Sequence, residues 1–171
     1  MAIDLPASRT PAYQAGSIAL FLAAACIVGA WGFEYAGYPP CELCLMQRWA
    51  YYAGIPVLFA ALALVSGGHR RSALWLFALV ALAFLANAGL GIYHAGAEWK
   101  FWPGPSACTG NDVLTKTAGD LLQQLETVKV IRCDEPAIRI FGVSLAGWNV
   151  VSSLVIFIAA LRAAFAASEI E

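Results

Sequence analysis

Four apolar stretches, each close to the length that crosses a bilayer, constrain this chain of 171 residues more than any motif does. They run over about residues 15–33, 49–65, 73–93 and 143–164, against roughly 20 apolar residues for a membrane helix. Their only charge is Arg162, near the end of the last, and Asn87 and Asn149 are their polar interruptions. A hydrocarbon core offers the backbone no water, so each stretch must satisfy its own N–H and C=O groups as a helix. With 61% hydrophobic and 12% charged residues, the chain is too apolar for a soluble domain of this size. The expected fold is all-α: an integral membrane four-helix bundle, one domain over residues 1–171. Two external cysteine-bearing loops, about 34–47 and 95–142, would complete it. A net charge of −1 and no basic run argue against nucleic acid as a partner.

The short flanks predict orientation. Arg9 precedes the first span, His69-Arg70-Arg71 fills the turn between the second and third, and Arg162 closes the fourth. Positive residues collect on the cytoplasmic side. Both termini and the Gly67-Gly68 turn are therefore expected inside, with the two longer loops outside. Arg9 followed by an apolar run resembles a signal peptide, and Leu22-Ala23-Ala24-Ala25-Cys26 faintly resembles a lipoprotein cleavage box. The apolar run continues through Ile27, Val28 and Trp31, where a cleaved signal would stop, so the first helix is expected to be retained. Cys26 then falls mid-span as a small packing residue.

The remaining cysteines form two pairs beside the spans, both on the same predicted side. Cys41 and Cys44 form a C-x-x-C, while Cys108 and Cys133 bracket the one long polar segment. Two pairs facing one compartment point to electrons passing between them. Tyr38-Pro39-Pro40 favours a helix start, because proline is tolerated in the first turn. Cys41 to Leu45 would then occupy a helix N-terminus, whose free N–H groups and dipole lower a thiol pKa. Arg48 lies four residues beyond Cys44 and shares its helical face. It can stabilise negative charge on sulfur or on a bound acceptor, or merely snorkel to the interface. Gln47 adds a donor and an acceptor beside it.

Blander readings apply to each pair. Zinc would need a second C-x-x-C or a histidine pair, and the chain has only His69 and His94, so no metal site is expected. Cys108 and Cys133 could form a plain structural disulfide, which persists outside the membrane. A disulfide across two intervening residues is strained and reducible, so Cys41–Cys44 reads as a redox centre rather than a staple. Trp99, Phe101 and Trp102 suit the interface after the third span. Between Cys108 and Cys133, apolar residues from Val113 to Val128 recur at roughly helical spacing, as in a short amphipathic helix. That helix would lie on the outer leaflet or on the bundle top. The loop carrying the two cysteines is expected to be mobile near the surface, within reach of a protein partner. Glu34 and Glu42 read as solvated loop charges.

These residues resemble the disulfide bond formation protein B (DsbB) family of bacterial inner-membrane thiol oxidases. The resemblance rests on four spans, Pro-Cys-Glu-Leu-Cys-Leu-Met-Gln-Arg-Trp opening the second, Tyr93-His94 closing the third, and Trp-Pro-Gly-Pro-Ser-Ala-Cys entering the long loop. It implies a thiol:quinone oxidoreductase in which Cys41–Cys44 and Cys108–Cys133 are redox disulfides. A membrane quinone, ubiquinone or menaquinone, would be held near Cys44 and Arg48, with Gln47 close by. The second pair would oxidise a periplasmic dithiol oxidase of the DsbA type. In the implied relay the partner attacks Cys108, the freed Cys133 attacks Cys41, and Cys44 leaves as the low-pKa thiolate. The resemblance also places an ionisable residue near the end of the third span, where His94 would approach the quinone or simply cap the helix. Glu98 is a weaker candidate for that place. Two other classes fit parts of the pattern. A reductase of the epoxide-quinone type also uses four helices and two cysteine pairs, but carries its C-x-x-C near the end of a late helix. A non-enzymatic scaffold would use the disulfides only to hold its loops.

Overall fold

A computed structural model describes residues 10–105 and 132–169. Four long helices dominate: α1 (Thr10–Tyr35), α2 (Glu42–Ser66), α3 (Arg70–Glu98) and α4 (Leu145–Ser168). All four are long and apolar enough to cross a membrane. Each outruns its apolar stretch, because a helix continues until something stops it. Three of the ends stop in the same way. Gly37, Gly68 and Lys100 adopt left-handed φ values of 94°, 82° and 63°. The next amide then bonds back to the final turn: Tyr38 to the Phe33 carbonyl, His69 to Leu64, and Phe101 to Gly96. The loop expected over 34–47 therefore shrinks to a few residues around Tyr38-Pro39-Pro40.

The fourth helix begins at Leu145 rather than at 143, because the Ser144 hydroxyl accepts the Gly147 amide at 3.2 Å and caps it. Ahead of it, β1 (Arg139–Ile140) and β2 (Val143–Ser144) form a two-stranded antiparallel hairpin, with Arg139 opposite Ser144. Positive φ at Phe141 and Gly142 makes the tight turn whose twist suits such a hairpin. The hairpin was not anticipated; Phe-Gly between two short apolar-polar steps was its signal. The amphipathic helix expected near 113–129, the mobility expected of its loop, and Cys108 all lie outside the described residues.

The helices close into a ring in which α1 packs on α2 and α4, and α3 on the same two neighbours. Small residues permit the close approach, as Ala19, Ala23, Ala61, Ala73, Ala160 and Ala163 are fully buried around Phe77, Phe84, Leu58 and Ile156. A Cβ on Gly16 would meet the Phe77 ring at 2.8 Å, and one on Gly54 the Phe84 ring at 2.8 Å. Large apolar side chains such as Phe21, Phe59, Trp75 and Leu82 face outward. A bundle apolar on both its inner and outer faces is built for lipid. Asn87 and Asn149 do not interrupt it at random. The Asn87 amide donates to Ser153 Oγ at 3.0 Å and Asn149 Oδ1 at 3.4 Å, and Tyr51 OH donates to Asn149 Oδ1 at 2.7 Å. The four polar side chains tie α2, α3 and α4 together within the bundle.

Candidate active site

Cys41 is the N-cap of α2, in extended conformation after the two prolines. Its sulfur fills the place usually taken by a serine or aspartate oxygen, accepting the Cys44 amide at 3.3 Å. The two sulfurs stand 2.8 Å apart as thiols. His94, on the last turns of α3, brings Nε2 to 3.6 Å from the Cys41 sulfur, and Nδ1 lies 2.9 Å from the Gln47 amide. His94 is 1% exposed, so its two ring nitrogens are oriented by these neighbours rather than by solvent. One turn further on, Glu98 is also buried, with Oε1 at 3.8 Å from His94 Nε2. Its other oxygen has no hydrogen-bond partner among the described residues. Glu98 was undervalued in sequence; its i,i+4 spacing from His94 was the available signal.

Of the two sulfurs, Cys41 is the one whose thiol pKa is lowered. The thiol hydrogen bond from Cys44 is the largest cause, and His94 and the Cys44 amide add to it against the cost of burial; together they lower the Cys41 thiol to about 4. This corrects the expectation that Cys44, stabilised by Arg48, is the low-pKa sulfur. Arg48 is committed elsewhere: its guanidinium donates to Glu34 Oε2 at 2.6 Å and to the Ala30 carbonyl at 3.4 Å. Glu34 is exposed, but it is paired and helical rather than a free loop charge. It lies in the last turn of α1 and ties that helix to α2.

A depressed pKa keeps Cys41 ionised above it, and the thiolate is lost as pH falls through about 4. Alkylation of the reduced chain by iodoacetamide, followed at Cys41 by mass spectrometry, should therefore stay nearly flat from about pH 8 to about pH 5.5. An ordinary thiol, with a pKa of about 8.5, would slow roughly tenfold per unit below that value. A tenfold loss per unit beginning at neutral pH would contradict the charge placement.

Cys133 is buried in a small cluster with Cys41 and Leu43, and Cys44 and Leu90 pack against it. It is disulfide-bonded; Cys108, the partner expected for it, lies outside the described residues. Neighbouring charges hold it in place. Arg132 clasps the Asp134 carboxylate through two nitrogens at 3.0 and 2.9 Å, and Lys100, at the end of α3, reaches the Asp134 carbonyl at 2.9 Å. Arg132 foremost, then Lys100, holds the Asp134 carboxyl well below the usual carboxylate range. The left-handed backbone at Lys100 is thus offset by a tether that carries the Cys133 segment back onto α3.

Beside these sulfurs opens a cavity of about 760 Å³, within the size range of small-molecule sites. Cys41, Cys44, Gln47, Arg48 and His94 all line it, as do Glu98 and Tyr51. Apolar walls come from Ile27, Phe33, Leu145 and Trp148. Cys26 also reaches its wall as a half-buried packing residue, remote from the sulfur pair in sequence.

The family model "Disulfide bond formation protein DsbB" matches residues 14–163 of this chain. The chain belongs to the DsbB family. Among DsbB relatives, Disulfide bond formation protein B of Ralstonia nicotianae is 33% identical over 165 residues, covering 87% of this chain and 97% of the relative. That of Cupriavidus pinatubonensis is 32% identical over 152 residues, covering 81% and 86%. Disulfide bond formation protein B 2 of Pseudomonas syringae is 33% identical over 137 residues, covering 77% and 76%. No solved structure matches the chain. Membership in the DsbB family, four membrane-crossing helices and a buried dithiol make this a membrane oxidoreductase of disulfide bond formation.

Proposed function

We propose that this chain oxidises a periplasmic thioredoxin-fold dithiol protein of the DsbA type and delivers the electrons to a membrane quinone. The observation that carries this reading is the position of the Cys41–Cys44 pair. It lies between Cys133, packed against Cys41, and a largely apolar cavity lined by both sulfurs. The cysteine end faces the periplasm, and the termini and the Gly67-Gly68 turn face the cytoplasm of a bacterial inner membrane.

In this mechanism a partner thiolate attacks Cys108 of a Cys108–Cys133 disulfide and frees the Cys133 thiolate. The partner's second thiol resolves that mixed disulfide, leaving with a disulfide and releasing Cys108. Cys133 attacks Cys41 of the oxidised Cys41–Cys44 pair, and Cys44 departs. Cys108 then attacks Cys133 and expels Cys41. The charge placement supports this last step, since exchange is faster when the leaving sulfur is the more acidic. The Cys44 amide, which caps onto Cys41, and His94 stabilise that leaving thiolate. One partner dithiol has become a disulfide, and the Cys41–Cys44 pair holds two electrons and two protons.

The cavity fits a quinone: flat apolar walls from Phe33, Trp148 and Ile27, with the donors Arg48 and Gln47 beside the sulfurs. A bound quinone supplies the acceptor for two electrons and two protons. Arg48, its charge paired with Glu34, still presents its guanidinium on the cavity wall, and His94, between Cys41 and Glu98, can hold or pass a proton.

The test is turnover of purified protein with a reduced thioredoxin-fold partner and either ubiquinone or menaquinone analogues, read as quinone absorbance. No turnover with all four cysteines intact would leave the scaffold reading standing. Arg48→Met should raise KM for quinone about tenfold, the scale of one lost charge-assisted hydrogen bond, with a smaller effect on kcat. Arg48→Lys should retain part of the binding by charge alone. An unchanged KM in Arg48→Met would remove Arg48 from the quinone site.

A further inference from the structure

We propose that the reduced Cys41–Cys44 pair and His94 form a three-ligand site for a zinc-type divalent cation, with Glu98 beside it, that exists only in the dithiol state. Sequence spacing argues against zinc because it offers one C-x-x-C and no histidine pair nearby. The fold supplies the missing half from another helix. The two sulfurs and a ring nitrogen of His94 all lie within 4.8 Å of one another.

The separations can be compared with what a metal requires. Zinc with Zn–S of about 2.3 Å and Zn–N of about 2.0–2.1 Å puts sulfur and nitrogen ligands about 3.6 Å apart. Cys41 Sγ and His94 Nε2 are already 3.6 Å apart. Glu98 Oε1 is 3.8 Å from His94 Nε2 but outside the cluster of the other three ligand atoms, so the fourth position is left to water or to a shift of Glu98. Two thiolates on one zinc lie about 3.8 Å apart, so the sulfur pair, now at 2.8 Å, must open by about an ångström. Cys44 can give that by a χ1 adjustment in the first turn of α2, since it is half-buried and lines the cavity.

A second observation points to a ligand here. Glu98 is buried, yet its Oε2 has no hydrogen-bond partner among the described residues, a costly arrangement for a carboxyl. A cation at His94 Nε2, which lies 3.8 Å from Oε1, would place positive charge beside this carboxylate. The outer shell is also present. Metal on Nε2 moves the imidazole proton to Nδ1, and Gln47, 2.9 Å away, accepts it by turning its amide oxygen inward. Binding displaces two thiol protons and changes no oxidation state. Disulfide formation removes both thiolates, so the metal and the oxidised state exclude each other, and a bound metal holds the pair reduced.

Co²⁺ is the probe, because thiolate–cobalt charge transfer near the ultraviolet and intense d–d bands report sulfur ligation and tetrahedral geometry. Full-length protein in detergent micelles is reduced, freed of reductant under argon, and titrated without quinone. The result therefore stands or falls independently of the quinone reaction. The expectation is one Co²⁺ per chain with both signatures, displaced by Zn²⁺, and no bands for the oxidised protein. Cys108→Ser/Cys133→Ser should keep the bands, and Cys44→Ser should lose them. Gln47→Ala should weaken affinity by about 10–100-fold, as for other outer-shell partners of a ligating histidine. Bands that survive in Cys44→Ser, that disappear in Cys108→Ser/Cys133→Ser, or that appear equally in the oxidised protein would overturn the site. So would the absence of bands from reduced protein whose free thiols are confirmed by titration.

Discussion

Replacing Cys44 by serine should reduce quinone-dependent turnover to the uncatalysed background, a loss on the order of a thousandfold or more for a residue that takes part in covalent chemistry. The helix should survive, because Cys44 is half-buried and its backbone amide, not its side chain, completes the Cys41 cap. The informative outcome is what accumulates. Cys41 retains a capped sulfur and His94, and it sits in one buried cluster with Cys133. With no Cys44 to resolve it, a Cys41–Cys133 disulfide should build up, visible as a cross-linked peptide after proteolysis without reductant. Cys41→Ser should be equally inactive but should accumulate no such cross-link, although serine is itself a good cap. Equal cross-linking of Cys133 to Cys41 and Cys44 in the single variants would contradict the order of attack. Normal turnover by Cys44→Ser would remove the pair from the reaction altogether.

Gly96→Ala should be the most disruptive small substitution at the cysteine end of the bundle. A Cβ there would stand 2.1 Å from Trp102 Cζ2 and 2.5 Å from Cη2, far inside contact distance. The indole cannot easily yield. It donates to the Tyr93 carbonyl at 2.9 Å and stacks on the Tyr93 ring, with centroids 5.9 Å apart and planes 13° from parallel. Overpacking of this kind costs about 1–3 kcal/mol, and the lost hydrogen bond about 1 kcal/mol more. At roughly 2–4 °C per kcal/mol for a chain of this size, Tm measured in one fixed detergent should drop by several degrees. Activity should fall with it, because Gly96 lies between His94 and Glu98 and Trp102 starts the segment leading to the second cysteine pair. Trp102→Ala removes the clash, so the double variant should be more stable than the sum of the two single losses predicts. A Gly96→Ala protein as stable as its parent would show that the indole is not fixed there.

The four helices were legible because crossing a bilayer is a local requirement. Apolar length, the absence of interior charge and the Gly67-Gly68 break are all written along the chain. The Pro-Pro-Cys start was legible for the same reason, since proline restricts its own neighbours and a helix N-terminus lies immediately beyond. Helix ends were less so. Helices α1 and α3 run past their apolar stretches until Gly37 and Lys100 enter the left-handed region, and nothing in hydropathy marks those stops.

By itself, then, the sequence determined the class of the molecule: a four-helix membrane protein of the DsbB family with a C-x-x-C at the mouth of its second helix. Only the tertiary structure decided how that pair is used. Arg48 shares a face with Cys44 in any helical reading, yet Glu34 of α1 is the nearer countercharge and takes the guanidinium. His94 and Gln47 are 47 positions apart, and Cys41 and His94 are 53 apart, so their contact depends on how α2 and α3 are rotated about each other. The same rotation buries Glu98, which one-dimensional reading leaves near the end of a helix beside solvent. Local backbone preference sets each element, but the charge on a particular sulfur depends on which side chains neighbouring helices bring within a few ångströms of it. That depends on packing between segments distant in sequence, and here it sets His94 beside Cys41 and Glu34 beside Arg48.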